Sequence, residues 1–298
     1  MKAIAKLISA SLLGLALSGI TFAQTPVVEY YASRGNAIDQ YSTSGALERT
    51  YPLTGADSAA KGIAFGPGGM YVVRSSVWGT SRVEVFNEAS TLIRTYSMAG
   101  QMSGLVTSGN LRFAPDKKTF YVSALDGVYR FPVSGTAGEK IIDVSSTDVA
   151  VMPNGELLVA ENYSISRYSA DGKPLSSVTT LSDPHRLAPP GAWLVNVRGV
   201  TYDPRSDTTF VTMLGYSDFY FQLIALEGTS NVIKGRTQFG YANTMNLTPD
   251  GKLLVGSWTQ SPGMFSFTNT VPMTFTQIGS LQAPNASFVT SKRWRTPK

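Results

Sequence analysis

The residues best suited to do chemistry are polar side chains that recur at one point of a repeated pattern. Each precedes or begins an apolar segment, and together they are Lys61, Asn110, Asp148, Arg198 and Asn243. An ammonium, a guanidinium, amides and a carboxylate can bind a polar ligand through hydrogen bonds and charge, and their oxygens can bind a hard cation. Polar residues can also lie at strand ends only to solvate the backbone. The arrangement of the strands that carry these residues therefore decides whether they form a site.

The pattern is a hydrophobic segment, a turn that contains proline and a second apolar segment. Its copies are GIAFGPGGMYVV (62–73), NLRFAPDKKTFYVS (110–123), DVAVMPNGELLVA (148–160), GVTYDPRSDTTFVT (199–212) and MNLTPDGKLLVG (245–256). The turn prolines of successive copies are 48, 38, 51 and 45 residues apart, as expected for β-propeller blades of roughly 40 to 50 residues. In the copy at 148–160, Pro153-Asn154-Gly155 has the chemistry of a tight hairpin. By the shared pattern, each copy predicts the first two strands of a blade.

The two ends of the chain together predict one further blade. Residues 30–51 match the second half of a blade but lack an innermost strand, and the strand-like stretch 286–290 is the obvious donor. We therefore predict an all-β, six-bladed β-propeller in which strands from both termini share one blade and close the ring. A seven-bladed ring is the alternative, with weak strands hidden in 97–109 and 181–197.

Blade topology selects a face for the candidate site. In a propeller blade the innermost strand starts on the face where the second strand ends, so both kinds of connection border one ligand face. The predicted ligand-binding set is Lys61, Asn110, Asp148, Glu161, Asn162, Arg198, Asn243 and Trp258, and the same connections hold Arg34, Asn36, Arg74, Asp126 and Asp218.

The form of the repeat resembles the NHL group and its SMP-30/gluconolactonase-like relatives. The resemblance rests on segments such as GIAFGPGGMYVV followed by RVEVF (82–86), and it covers nearly the whole chain after residue 23. It implies a six-bladed propeller. It does not imply one activity, because that group includes hydrolases, lyases and binding modules.

The resemblance also implies a possible metal site. In the SMP-30-like hydrolases an Asn and an Asp at the starts of successive innermost strands help to hold a divalent ion, and Asn110 and Asp148 occupy those places here. Such oxygen ligands suit Ca²⁺ or Mg²⁺. The preceding blade has Lys61 where the family offers another Asn, and the family's Glu has no counterpart, so the set is incomplete.

Composition excludes several classes of chemistry. The sequence has no cysteine, which rules out disulfides, thiol nucleophiles and Cys-ligated metals, and its single histidine is His185. One histidine cannot form a two-histidine relay, and no GxSxG motif supports a Ser/His/Asp triad. Charges of both signs are scattered without a basic stripe, so we expect no nucleic-acid partner.

The amino terminus predicts export. Lys2 and Lys6 precede an uncharged run from Leu7 to Ala23, a pattern typical of a cleaved signal peptide over residues 1–23. An uncleaved membrane anchor is the alternative. With cleavage, residues 24–298 form a single propeller domain without a membrane span, located outside the cell or in the periplasm, and the net charge falls from +5 to +3 because two lysines are lost.

These observations predict an exported binding or scaffold protein that holds a small molecule, sugar or protein ligand on the propeller face and needs no cofactor. The alternative is a metal-dependent lactonase or esterase that binds one Ca²⁺ or Mg²⁺ through Asn110 and Asp148. The sequence leaves the choice between these classes open.

Overall fold

The structure is a computed structural model, and it describes residues 27–53, 59–75, 81–98, 110–175, 195–215, 220–283, 286 and 288–293. Within these ranges the chain is all-β: it forms strands and turns, and no helix. The predicted signal peptide, His185, Asp218 and most of the stretches proposed to hide a seventh blade lie outside the described residues.

The described strands group into six antiparallel units, which we number I to VI along the chain. Unit I contains β1 (Val28–Arg34), β2 (Ala37–Tyr41) and β3 (Leu47–Pro52). Unit II contains β4 (Ala59–Gly66), β5 (Gly69–Ser75), β6 (Arg82–Phe86) and β7 (Leu92–Met98). Unit III contains β8 (Leu111–Phe113), β9 (Thr119–Ala124), β10 (Gly127–Pro132) and β11 (Ala137–Ile142).

The remaining strands repeat this order. Unit IV contains β12 (Ser146–Val151), β13 (Leu157–Glu161) and β14 (Ile165–Tyr168). Unit V contains β15 (Val195–Asp203), β16 (Thr208–Gly215), β17 (Tyr220–Glu227) and β18 (Ile233–Gln238). Unit VI contains β19 (Ala242–Leu247), β20 (Leu253–Ser257), β21 (Gly263–Phe267) and β22 (Phe275–Ser280), and β23 (Val289–Arg293) follows it. Units II and III join into one eight-stranded sheet through a parallel contact between β7 and β11.

The five hairpins predicted from the proline turns are confirmed. Each joins the first and second strands of one unit from II to VI, because local turn chemistry is sufficient to reverse the chain there. In unit IV the turn after Pro153 places Gly155 at a φ of 86°, a conformation that glycine adopts without steric cost. The Gly155 N–H donates to the Met152 carbonyl at 2.9 Å and completes the turn.

The last described strand belongs to the sheet of the first unit. β23 pairs antiparallel with β1, from Val28 opposite Arg293 to Ala32 opposite Val289, so unit I has the order β23-β1-β2-β3. The strand begins three residues later than the stretch 286–290 that the sequence indicated. The reason is that Ala286 is still bound to unit VI, where its carbonyl accepts the Ser257 N–H at 3.0 Å.

In the part of the chain that the structure describes, the core consists of six buried apolar clusters, and each lies between two units. Representative pairs are Ile38 with Val72 (I and II), Val73 with Phe120 (II and III), Tyr121 with Val159 (III and IV), Leu158 with Val211 (IV and V), Phe210 with Val255 (V and VI), and Leu254 with Tyr41 (VI and I). Every unit therefore buries both of its faces against other units.

The first strands of the units, which are β23, β4, β8, β12, β15 and β19, contact one another in that order, and β19 also contacts β23. Several of them carry a β-bulge near the start. The bulges fall at Lys61 and Gly62, at Thr147, at Arg198, and at Asn243 and Thr244. A bulge redirects side chains away from the regular alternation. These bulges include Lys61, Arg198 and Asn243, and the one at Thr147 adjoins Asp148.

Candidate functional site

The candidate site lies where the first strands begin, which we call the strand-start face. In each antiparallel hairpin the start of the first strand adjoins the end of the second, so Asp148 lies opposite Ala160, next to Glu161. In unit III the Asn110 carbonyl likewise accepts a hydrogen bond from the Ser123 N–H, near the end of the second strand, at 3.1 Å. The two sets of connections therefore meet at one end of each unit, as blade topology predicts.

Asp148 is the most buried acid of this face. It has no solvent exposure; its Oδ1 accepts the Val149 N–H at 2.7 Å, and its Oδ2 accepts the Val200 N–H of unit V at 3.0 Å. Burial raises the pKa of its carboxyl from 3.8 to about 6, although the Arg112 guanidinium and the two N–H groups act in the opposite direction. Asp148 thus connects units IV and V and changes charge in mildly acidic solution.

Arg112 extends from unit III to unit VI. Its Nη2 donates to the Met245 carbonyl on β19 at 2.6 Å and lies 3.7 Å from Asp148 Oδ2, and its Nη1 donates to the Leu111 carbonyl. The side chain is 12% exposed. A single guanidinium therefore joins strands of units III, IV and VI beneath the strand-start face.

Two buried amides have side-chain atoms without a geometric hydrogen-bond partner among the described residues. Asn243 is 1% exposed, yet neither its Oδ1 nor its Nδ2 has a partner, and Asn110 is equally buried with an unpartnered Nδ2. The Asn110 amide still lies close enough to Asp148 to favour its charged form. Because an unpaired buried polar atom costs about 1–3 kcal/mol, such groups point to a missing partner.

Lys61 is a half-buried cation in the bulge of β4. Desolvation lowers the pKa of its ammonium, and the lysine makes no ion pair or hydrogen bond with any described residue. A cation that is half removed from water without a counter-charge raises the free energy of the folded state. An anion bound nearby would remove that cost.

Arg198 and Trp258 form a second cationic element. The Arg198 guanidinium carbon lies 5.3 Å from the centre of the Trp258 ring, and the guanidinium side chain is almost entirely buried whereas the indole is partly exposed. Cation–π contact of this kind holds an arginine in a defined orientation.

The other predicted residues lie at the same end of their units, and they form hydrogen bonds or ion pairs with nearby residues. The Glu161 carboxylate accepts the Ser164 and Tyr168 hydroxyls, and the Asn162 carbonyl accepts the Val197 N–H. Arg74 pairs with Glu84 at 3.3 Å, and Arg34 pairs with Asp39 at 2.9 Å. Asp126 binds Tyr129 and Lys140.

The donor set beside Asp148 suits an anion better than a cation. Both carboxylate oxygens already accept N–H groups, a guanidinium lies within 3.7 Å, and Lys61 lies on β4, which contacts the strand that follows Asn110. Among the described residues no group of three or more His, Asp or Glu side chains could hold a metal ion. A Ca²⁺ or Mg²⁺ ion wants six or more oxygens, far more than Asn110 and Asp148 offer.

Comparison with known proteins supports the fold and leaves the chemistry open. No family model and no curated protein matches the sequence. Among solved structures, hydrazine synthase of Kuenenia stuttgartiensis is similar over 78% of this chain and 70% of that chain, with 13% sequence identity and a TM-score of 0.53. This chain has a β-propeller-like fold. In the part of the chain that the structure describes, no helix is long and apolar enough to cross a membrane.

Sequence reasoning missed Arg112, although the repeat contains a signal for it. Arg112 stands one residue after the start of an apolar segment, at the point where the other copies have Ala64, Ala150, Thr201 and Asn246. A long cation in a position otherwise occupied by small or neutral residues is the feature that could have identified it.

Proposed function

We propose that the protein is an exported, six-bladed β-propeller whose strand-start face binds an anionic small molecule over the mouth of the central channel. In this proposal each unit is one blade, and β23 closes the ring by completing the blade of β1 to β3. The sequence predicted a binding role without specifying the charge of the ligand, and we add that the ligand is an anion.

The order of contacts supports the ring. Six clusters join the units in the sequence I, II, III, IV, V, VI and back to I, and the first strands contact one another in the same cyclic order. In such a ring β4 faces β15 and β8 faces β19 across the channel. The bond from Arg112 on β8 to the Met245 carbonyl on β19 then crosses the channel and forms a floor.

The ring order also arranges the polar groups in pairs. Lys61 and Arg198 begin opposite strands, and so do Asn110 and Asn243. An anion over the Arg112 floor would receive charge-assisted hydrogen bonds from the two cations and donors from the two amides. The observation that carries the proposal is Lys61, a half-buried ammonium without a counter-charge among the described residues.

A binding role is favoured over the lactonase or esterase alternative by the same groups. Hydrolysis through a divalent ion requires a cation where the described residues supply Arg112 and Lys61 instead. We therefore propose that the resemblance to the SMP-30-like group is one of fold, and that the site works without a metal or cofactor.

An anion screen of the protein lacking residues 1–23 tests the binding proposal. Phosphate, sulfate, citrate and glucuronate are the probes, and at 100 times its dissociation constant a ligand adds about 2.7 kcal/mol to stability. For a domain of this size the melting temperature then rises by roughly 5 to 10 °C. Lys61→Met should abolish the rise because it removes the unpaired charge, whereas Lys118→Met, at an exposed hairpin, should retain it.

The same screen contains the outcome that contradicts the proposal. A comparable rise with Ca²⁺ or Mg²⁺ that disappears in Asp148→Asn would establish the metal-dependent alternative. A rise with an anion that survives Lys61→Met unchanged would place the ligand elsewhere.

Export has its own test. Expression in a secreting host should release a species that begins at Gln24, because Thr21, Phe22 and Ala23 end the apolar run with a small residue at the cleavage position. Intact-mass measurement and amino-terminal sequencing check this. A secreted or membrane-bound species that retains Met1 would contradict it.

A further inference from the structure

We propose that a second binding site, for a sugar ring, lies between units I and II at the end of the molecule opposite the strand-start face. The site is a cavity of about 180 Å³, and it opens into a wider groove of about 510 Å³. The hairpin that contains Pro67, the turn after Phe86 and the end of β23 surround it. The proposal does not depend on the strand-start face.

Aromatic rings form the wall of the cavity. The ring centres of Tyr31 and Phe65 are 4.5 Å apart, and those of Tyr31 and Tyr51 are 6.4 Å apart. The buried Phe86 also lines the cavity. Phe65 and Tyr51 are only half-buried, so parts of their rings face the cavity. A sugar presents a flat array of C–H groups that pack on such rings, and tyrosine offers apolar contact area with a polar tip.

The rim of the cavity has hydrogen-bond donors and acceptors, and it carries both positive and negative side chains. Arg49 lies 4.5 Å over the Tyr51 ring, Lys292 lies 5.3 Å over the Phe65 ring, and Glu88 pairs with Lys292 at 3.2 Å. Asn87 uses its Oδ1 to accept the Thr91 N–H, and its Nδ2 makes no hydrogen bond to the rest of the described chain. Hydroxyl groups both donate and accept, so a polyol can satisfy this mixture.

Other ligand classes fit less well. An anion would meet the Glu88 carboxylate at the rim and Glu48, whose side chain lies 3.5 Å from Gln40 of the lining. A purely apolar ring would desolvate the Asn87 Nδ2 donor without pairing it. The narrow volume suits one ring, and the outer groove, which shares Phe65, Asn87 and Lys292 with it, leaves room for a second sugar unit.

The test uses saturation-transfer NMR with the protein lacking residues 1–23 and methyl glycosides of glucose, galactose, mannose and N-acetylglucosamine. At least one glycoside should receive saturation at its ring C–H protons. Tyr51→Ala should weaken binding about tenfold, since it removes one stacking surface. Tyr202→Ala is the matched control: this tyrosine is also half-buried and hydrogen-bonded, but it belongs to unit V.

A second variant keeps the test decisive if Tyr51→Ala folds poorly. Arg49 is exposed, so Arg49→Met leaves the core intact and should still weaken glycoside binding several-fold. Three results overturn the proposal. They are the absence of saturation for every glycoside, saturation of benzoate in place of the glycosides, and binding that neither Tyr51→Ala nor Arg49→Met changes.

Discussion

Deleting residues 289–298 should destabilise the protein more than any surface truncation, because it removes the whole of β23. The deletion exposes the edge of β1 and leaves Val28, Tyr30 and Ala32 without their partner strand. Loss of the buried Val289 side chain costs about 2 kcal/mol, and each lost strand hydrogen bond adds about 1 kcal/mol. A total near 5 kcal/mol lowers the melting temperature by roughly 10 to 20 °C.

Thermal unfolding followed by circular dichroism measures this effect. Deletion of residues 294–298 is the matched control, since it shortens the chain but keeps every pair between β23 and β1. Val289→Asp tests the same strand without shortening the chain, and it should also destabilise strongly because residue 289 is 2% exposed. A melting temperature that stays unchanged on deletion of 289–298 would show that β23 does not close the ring.

Arg112→Met should have the second large effect. The substitution removes the donor to the Met245 carbonyl and leaves the Asp148 carboxylate buried without the guanidinium near it. Breaking a buried ion pair from one side costs about 3–5 kcal/mol. Urea denaturation at pH 7 measures the loss, and Arg130→Met, at a partly exposed ion-paired arginine of the same unit, is the control.

The double variant Arg112→Met/Asp148→Asn separates charge from packing. If the cost arises from the unpaired carboxylate, removing that charge should recover a large part of it. A double variant that is as unstable as the sum of the two single variants would mean that Arg112 acts through Met245 alone.

Asp148 also makes stability depend on pH. Its folded pKa, raised by burial to about 6, exceeds the ordinary 3.8, so the folded state binds the proton more tightly than the unfolded state. The resulting stabilisation is fully present below about pH 3.8 and is lost as the pH rises through 6. Asp148→Asn should remove this trend, so the free-energy difference between variant and wild type should change by about 2 kcal/mol between pH 4 and pH 7.

The hairpins could be predicted from the sequence because their causes are local. Proline and glycine in the turn and apolar residues on both sides are sufficient to set the chain reversal at Pro153 and Gly155. The repeat likewise placed Asn110, Asp148 and Asn243 at equivalent strand starts, where the structure has them.

The rest could not be predicted because its causes are distant in sequence. The bond from Arg112 to Met245 joins residues 133 positions apart, and the burial that shifts the pKa of Asp148 depends on units IV and V packing together. The cavity walled by Tyr31, Tyr51 and Phe65 forms only where two units meet. No pattern within one repeat contains these relations.

The most direct test of the central proposal is an anomalous difference map from crystals soaked in selenate, a heavy analogue of sulfate. The proposal predicts a six-bladed ring with a selenium peak over the Arg112 floor, within hydrogen-bond reach of Lys61 and Arg198. A ring of another blade number, or Lys61 and Arg198 on separate surfaces with selenate bound only elsewhere, would contradict it.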